Sequence, residues 1–301
     1  MIGVGFAALA AARWIHFIAV TLVFGASLFP FYALPAQAHA LAGLAHIGGP
    51  VRAAALIALV SGVCWAAASL ASITADPASL FDADTLWTFF FDTGFGKIWA
   101  LRFLLLVTML LAVLTAGRKL PTRNIASALS AALAALLLVS QAWIGHPAAT
   151  AAGERTIVVA GYALHVLGAG AWLGGLVPLL LLLRAHSAEK NALEFALRRF
   201  SALGMLAIAM ILAGGLSNAW ARWDSIDGFI ASAWGKVLIV KVLGFFGLFI
   251  LAAVNRFVLM PRLDANGSAR MRLVRNVLAE QAGGVLILFA ASILGLLPPP
   301  A

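Results

Sequence analysis

Hydrophobic residues in this chain gather in long unbroken runs. They do not alternate with polar ones, and the runs are too long for soluble helices. A membrane-crossing helix needs about 20 mostly apolar residues. Eight stretches meet that length, at about 7–33, 51–74, 97–116, 124–145, 156–183, 200–221, 235–258 and 274–296. No period-two alternation competes with them, so a membrane β-barrel is not expected. The pattern predicts an all-α, polytopic membrane protein, a bundle of about eight transmembrane helices. The connections are too short for a soluble domain. The whole chain, 1–301, reads as a single integral membrane domain, with a four-helix N-terminal half (1–140) and a C-terminal half (141–301). No internal repeat is evident, so an inverted-repeat transporter is not indicated.

Composition strengthens this picture. The chain is 63% hydrophobic and 10% charged, with a mean hydropathy of +1.04; soluble domains carry about 25% charged residues. The net charge of +9 would suit nucleic acid, but its placement speaks for membrane topology instead. Arg52, Arg118, Lys119, Arg123, Arg184, Lys190, Arg198, Arg199, Arg256, Arg262, Arg270, Arg272 and Arg275 fall on one side of the predicted spans. Lys97, Arg155, Arg222 and Lys236 fall on the other, with Asp76, Asp82, Asp84, Asp92, Glu154, Asp224 and Asp227. Basic loops face the cytoplasm, which puts both termini in the periplasm. Ala36-Gln37-Ala38 imitates a signal-peptide cleavage site. The preceding run lacks a basic start and is interrupted by Arg13 and His16, so a retained first helix is expected. The single Cys64 leaves no intrachain disulfide and reads as a packed thiol.

Ionisable residues inside apolar spans mark function by default. Arg13, Arg102 and Lys241 each lie five or six residues inside one face, where long cationic side chains can snorkel to the interface or form structural ion pairs. Glu280 lies deeper, and is expected either to pair with a loop arginine or to be protonated. The stretch Gly161–Leu181 organises the rest. His165, Gly168 and Trp172 share one helix face, and Gly170 and Gly174 form a GxxxG step that permits close helix approach. His16 and His165 sit at matched depth, and His146 stands at the mouth, where Pro147 stops the fourth helix. Imidazole suits Cu, Zn, Fe and Ni, and thioether suits Cu(I); Met210 in the sixth stretch could extend a soft-ligand path. His39, His46 and His186 fall in or near loops and read as solvated. Asp82, Asp84 and Asp92 could concentrate cations, but solvation is the preferred role.

Several segments together resemble the bacterial copper resistance D family. They are Arg13-Trp14-Ile15-His16, Trp143-Ile144-Gly145-His146, the run His165–Leu179, Phe200-Ser201, and Gly214-Gly215-Leu216-Ser217-Asn218-Ala219. Also matching are Trp234–Leu238, Lys241, Asn255-Arg256-Phe257 and Pro261, with Arg272, Arg275 and Glu280. The resemblance spans nearly the whole chain and is strongest from about residue 140. It implies copper handling in the inner membrane, movement from periplasm to cytoplasm, and a small periplasmic copper-binding partner of the C type. It assigns copper contacts to His16, His146 and His165; from the polar positions themselves, Met210, Arg13, Arg102, Trp172, Asn218, Lys241 and Glu280 are expected as secondary pathway or structural polar residues. The chain has no fused periplasmic copper domain and no Met- or His-rich outer loop, so a separate carrier is implied.

The leading expectation is therefore a copper permease, not an enzyme, lying in lipid and without a nucleic-acid partner. Nothing resembles a nucleotide site, so a gradient or carrier exchange would drive it. A protonated imidazole cannot hold copper, so binding should weaken as pH falls through about 6.5 for an unperturbed histidine. Two alternatives stand beside it. One is a haem-binding, b-type-cytochrome-like membrane oxidoreductase that uses the paired histidines. The other is an assembly or sensing partner that holds copper without moving it.

Overall fold

The computed structural model describes residues 4–35, 44, 47–116, 123–145, 152–185, 190–222, 225–263 and 267–300. Its helices are α1 (Val4–Ala33), α2 (Gly48–Thr74), α3 (Ala83–Trp87), α4 (Gly94–Thr115), α5 (Ile125–Ser140), α6 (Ala152–Arg184), α7 (Lys190–Trp220), α8 (Ile226–Ala231), α9 (Ala233–Val254) and α10 (Gly267–Leu294). Eight are long and apolar enough to cross a membrane, and no strand occurs among the described residues. The all-α expectation holds. Its edges move where charge misled the hydropathy reading. α7 begins at Lys190, ten residues before the expected start. There Ala192, Leu193, Ala196, Leu197 and Phe200 form a buried stripe at helical spacing. The short helices α3 and α8 in the connections were not foreseen. Each is capped by a side chain: Asp82 accepts from the Thr85 amide at 3.0 Å, and Ser225 accepts from the Gly228 amide at 3.1 Å.

α1 and α6 form the centre of the bundle, with about two thirds of each apolar window buried. They run side by side, and glycine permits it. A Cβ on Gly25 or on Gly174 would collide with the other helix's backbone. Gly170 meets Phe24 and Leu138, and Gly175 meets Tyr32 and Phe200. Lipid tails are as apolar as leucine, so such backbone-to-backbone packing is what holds membrane helices together. α2, α4 and α5 gather on one flank of α1 around Val20, Val23, Leu106, Met109 and Leu137. α7, α9 and α10 gather around α6, with Trp172, Leu176, Leu179, Leu248 and Leu273 between them.

The buried polar groups follow a simple rule. A helix leaves its last four carbonyls without partners, and lipid offers none. Arginines from neighbouring segments fill these positions. Arg102 donates to Leu137 O at the end of α5 (2.9 Å), and Arg13 to Gly295 O just past α10 (3.4 Å). Arg123 donates to Phe31 O (3.1 Å) and Arg199 to Tyr32 O (3.2 Å), both at the end of α1. Arg270 donates to Leu183 O and Ala185 O at the end of α6 (2.8 Å each). Arg222 closes the last turn of α7 through Asn218 O (2.5 Å). Arg13 and Arg102 therefore do not snorkel; both turn inward and are buried.

Replacing Gly174 with Val should destabilise the protein by about 1–3 kcal/mol through overpacking. Gly204→Ala, where an added Cβ meets nothing within 4 Å, should leave stability unchanged or raise it by up to about 1 kcal/mol. Thermal unfolding of the two purified variants in the same detergent checks the contrast.

Candidate functional site

His16 is completely buried, and both ring nitrogens are engaged. Nδ1 donates to Ala58 O of α2 (3.0 Å), and Nε2 accepts from a terminal nitrogen of Arg102 (2.8 Å). An arginine only donates, which fixes the imidazole as the neutral Nδ1–H tautomer. Arg102 also reaches the Ser140 hydroxyl (2.5 Å). One histidine and one arginine thus join α1, α2, α4 and α5. Aromatic rings finish the enclosure. Trp65 meets the His16 ring edge to face at 5.5 Å. It also lies 5.0 Å from the Arg13 guanidinium and 5.3 Å from that of Arg102. Trp99 adds a second face to Arg102 at 5.0 Å. Cations held over indole rings are stabilised by the ring quadrupole, which offsets part of the cost of burying them.

His165 is placed differently. Its Nδ1 donates to Ile211 O of α7 at 2.9 Å, and no hydrogen bond to Nε2 is present among the described residues. Room for the ring comes from Gly214 and Gly215, where a Cβ would touch the His165 backbone or imidazole. One turn further on, Gly168 packs against Met210. His165 and Met210 thus occupy the same α6–α7 seam. Lys241 of α9 acts electrostatically on His165. Trp172 continues this face of α6 toward Phe245 (ring centroids 6.3 Å) and toward the carboxylate of Glu280.

The structure gives His16 and His165 equal depth but does not bring them together. Gly25 and Gly174, which touch, each lie nine residues after one of these histidines. Nine residues is two and a half helical turns, so each ring projects from the side of its helix opposite the shared seam. His16 enters the α2–α4–α5 flank and His165 enters the α7 flank. A haem ligated between these two imidazoles has no place in this arrangement. His146, like His39, His46 and His186, lies outside the described residues. No group of three or more His, Cys, Asp or Glu residues suited to a metal occurs among the described residues.

The remaining expected polar residues have identifiable partners. Asn218 donates to Gly214 O (2.8 Å) and braces the end of α7. Glu280 accepts from Asn255, with Trp172 nearby, and no loop arginine pairs with it among the described residues. Asp82, Asp84 and Asp92 are exposed. The Thr85 hydroxyl and amide hold the Asp82 carboxyl below its usual range, so this acid serves as a cap. Cys64 is exposed rather than packed, because it lies on a face of α2 turned away from the core. Sequence reading missed Trp65, Trp99, Ala58 and the Ile211 carbonyl as partners. Trp65 and Trp99 are visible signals, since tryptophans beside intramembrane arginines are natural cation partners; backbone acceptors leave no signal.

If His16 and Arg102 act as one structural joint, His16→Ala and Arg102→Leu will each destabilise the protein, by roughly 1–3 kcal/mol per orphaned buried group. The double variant should cost less than the sum, with a coupling of about 0.5–3 kcal/mol. Thermal unfolding across the four-member cycle measures it, and strict additivity would break the joint apart.

Comparison with known proteins agrees with the architecture. The family model described as "Copper resistance protein D-like, N-terminal domain" matches residues 1–157, and "Copper resistance protein D" matches residues 194–294. Inner membrane protein YebZ of Escherichia coli (strain K12) is 28% identical, covering 96% of this chain and 97% of its own length. Copper resistance protein D of Pseudomonas syringae pv. tomato is 27% identical, covering 96% of each. Copper transport protein CutJ of Bacillus subtilis (strain 168) is 31% identical over 70% of this chain and 38% of its own length. No solved structure matches. With half of its length matched by the first family model and most of the remainder by the second, this multi-pass membrane protein belongs to the copper resistance protein D family.

Proposed function

We propose that this protein carries copper across the bacterial inner membrane, from periplasm to cytoplasm, with His165 as its intramembrane contact. The observation that carries this reading is the state of the His165 ring. Its Nδ1–H is anchored on the Ile211 carbonyl, and Nε2 is left without a partner in an otherwise apolar seam. Metal-ligating histidines characteristically donate their second ring nitrogen to a carbonyl or carboxylate, which fixes the tautomer and aims the lone pair. Met210 in the same seam offers a thioether, a donor suited to Cu(I). The Lys241 charge opposes a resident cation. That suits a transit station, where an ion must bind weakly enough to leave. The names of two relatives, a copper transport protein and a copper resistance protein, support copper as the cargo, and a third is named an inner membrane protein.

His16 has another part in this reading. Copper at its Nε2 would have to displace Arg102 and then sit beside the displaced guanidinium, so His16 serves as the joint of the N-terminal half. His146 remains the entry contact at the mouth. The excess of arginine on the other side of the bundle supports periplasmic termini in this reading, with a separate copper-binding protein of the C type delivering the ion there. Movement follows a gradient or carrier exchange, without an enzymatic step.

His165→Ala should lower copper uptake into proteoliposomes about tenfold or more, with reconstitution and thermal unfolding unchanged. His16→Ala should instead act chiefly through lost stability. Copper flux equal to wild type in a well-folded His165→Ala protein would remove the proposed contact. Copper bound at equilibrium without flux would identify a holding partner instead.

A further inference from the structure

Glu280 is a buried carboxylate with no cation paired to it. It is 3% exposed and sits inside α10, and it forms no salt bridge among the described residues. Its hydrogen-bond donor is neutral: Asn255 Nδ2 donates to Oε1 at 2.5 Å, and the Trp172 indole of α6 lies nearby. Asn276 Nδ2 in turn donates to Asn255 Oδ1 at 2.9 Å, which turns the Asn255 amide so that its N–H bonds face the carboxylate. Every donor points inward. This set satisfies an ionised carboxylate, whereas the O–H of a protonated one finds no acceptor among these partners. An ionised carboxylate in an apolar bundle nevertheless lacks a counter-charge, which is costly. The group is thus held between two states, and a cation arriving nearby decides between them.

The neighbouring elements supply no fixed counter-charge. Arg256, at the end of α9, donates to Ser201. Lys241 lies on α9 within reach of His165. On α1, Arg13 is spent on Gly295 O, and Tyr32 is neutral. On α10 itself, Arg272 and Arg275 are exposed. Trp172 connects the two groups: it follows His165 by two turns on one face of α6, and its indole lies near Glu280. From Glu280 the polar line runs through Asn255 to the partly exposed Asn276.

We propose that Glu280 is a proton-carrying station coupled to the copper step. The carboxyl holds a proton while the seam is empty. Copper entering between His165 and Trp172 brings positive charge. The Glu280 O–H bond then breaks, its electron pair stays on the carboxylate, and the proton leaves to water at the Asn276 end. Departure of copper reverses the step. Each copper held in the seam thereby displaces one proton from the carboxyl, which takes a proton up again when the ion leaves. This inference rests on the copper reading above, and its test separates the two.

The full-length protein is reconstituted in nanodiscs. Infrared titration without metal should show a protonated-carboxyl band whose intensity changes with pH in the wild type and is lost in Glu280→Gln. Adding Cu(I) in weakly buffered medium should release about one proton more per copper in the wild type than in Glu280→Gln. Glutamine keeps the acceptor for Asn255, so a merely structural carboxyl would leave both readouts equal in the two proteins. Asn255→Ala is a second variant, which keeps the carboxyl and removes one donor. It should move the pH at which the band changes. Equal proton release in wild type and Glu280→Gln, with copper still bound, overturns the coupling and leaves copper binding standing. No carboxyl titration in either the wild type or Asn255→Ala overturns it as well. Failure of the wild type to bind copper overturns both readings.

Discussion

Eight helices crossing lipid end in carbonyls that the solvent cannot satisfy, and most of the buried polar chemistry in this protein answers that constraint. Six arginines donate to carbonyls at or just beyond the ends of α1, α5, α6, α7 and α10. The negative end of a helix dipole favours a nearby cation, and the planar guanidinium presents several donors in a fixed fork. Among the described residues the one ion pair is Arg198 with Glu194, on the exposed face of α7. Charge is therefore compensated by backbone dipoles far more than by acids. That explains how a chain with a formal net charge of +9 can bury Arg13 and Arg102 at all. A guanidinium at a helix end trades one set of hydrogen bonds for another, whereas one left in hydrocarbon would not.

The two flanks of the α1–α6 seam use polar groups in opposite ways. In the N-terminal flank, His16, Arg102, Ser140, Ala58 and Leu137 are hydrogen-bonded to one another, and Trp65 and Trp99 cover them. A connected network of this kind ties four helices together. In the C-terminal flank, His165 keeps an open nitrogen, Lys241 faces no acid, and Glu280 faces no base. Groups without fixed counter-charges are the ones that can change state when an ion passes. The packing agrees, since 6% of the apolar window of α9 is buried against 67% of that of α1. The thinner flank carries the groups available for chemistry and leans on the thicker one.

Helix count and class were legible because a run of some 20 apolar residues leaves few alternatives in lipid. The depth of His16 and His165 was also legible, since rise per residue converts position directly into depth. Their orientation was not, because azimuth depends on which face of each helix meets its neighbour. The clue was present in part. Gly170 and Gly174 marked the contact face of α6, and the angular separation of His165 from Gly174 follows from the helical repeat. What the chain did not disclose was that Gly25 is the opposing contact, which would have turned His16 away as well. Arg102 was equally opaque. Its depth suggested snorkelling, but its partner is the carbonyl of Leu137, and a carbonyl looks the same at every residue.

The α1–α6 glycine contact also bears on how an ion could cross. Two rings at one depth on opposite sides of a backbone-to-backbone seam cannot share a metal without separating the helices that define the fold. A path along the α6–α7–α9 flank needs no such separation. It requires side-chain movement by Lys241, Trp172 and Phe245 against helices that are already largely lipid-facing. Trp172 stands two turns beyond His165 on one face of α6, its ring meets Phe245 at 6.3 Å, and its indole lies near the Glu280 carboxylate. A rotation of Trp172 would therefore alter the surroundings of His165 and of Glu280 at once.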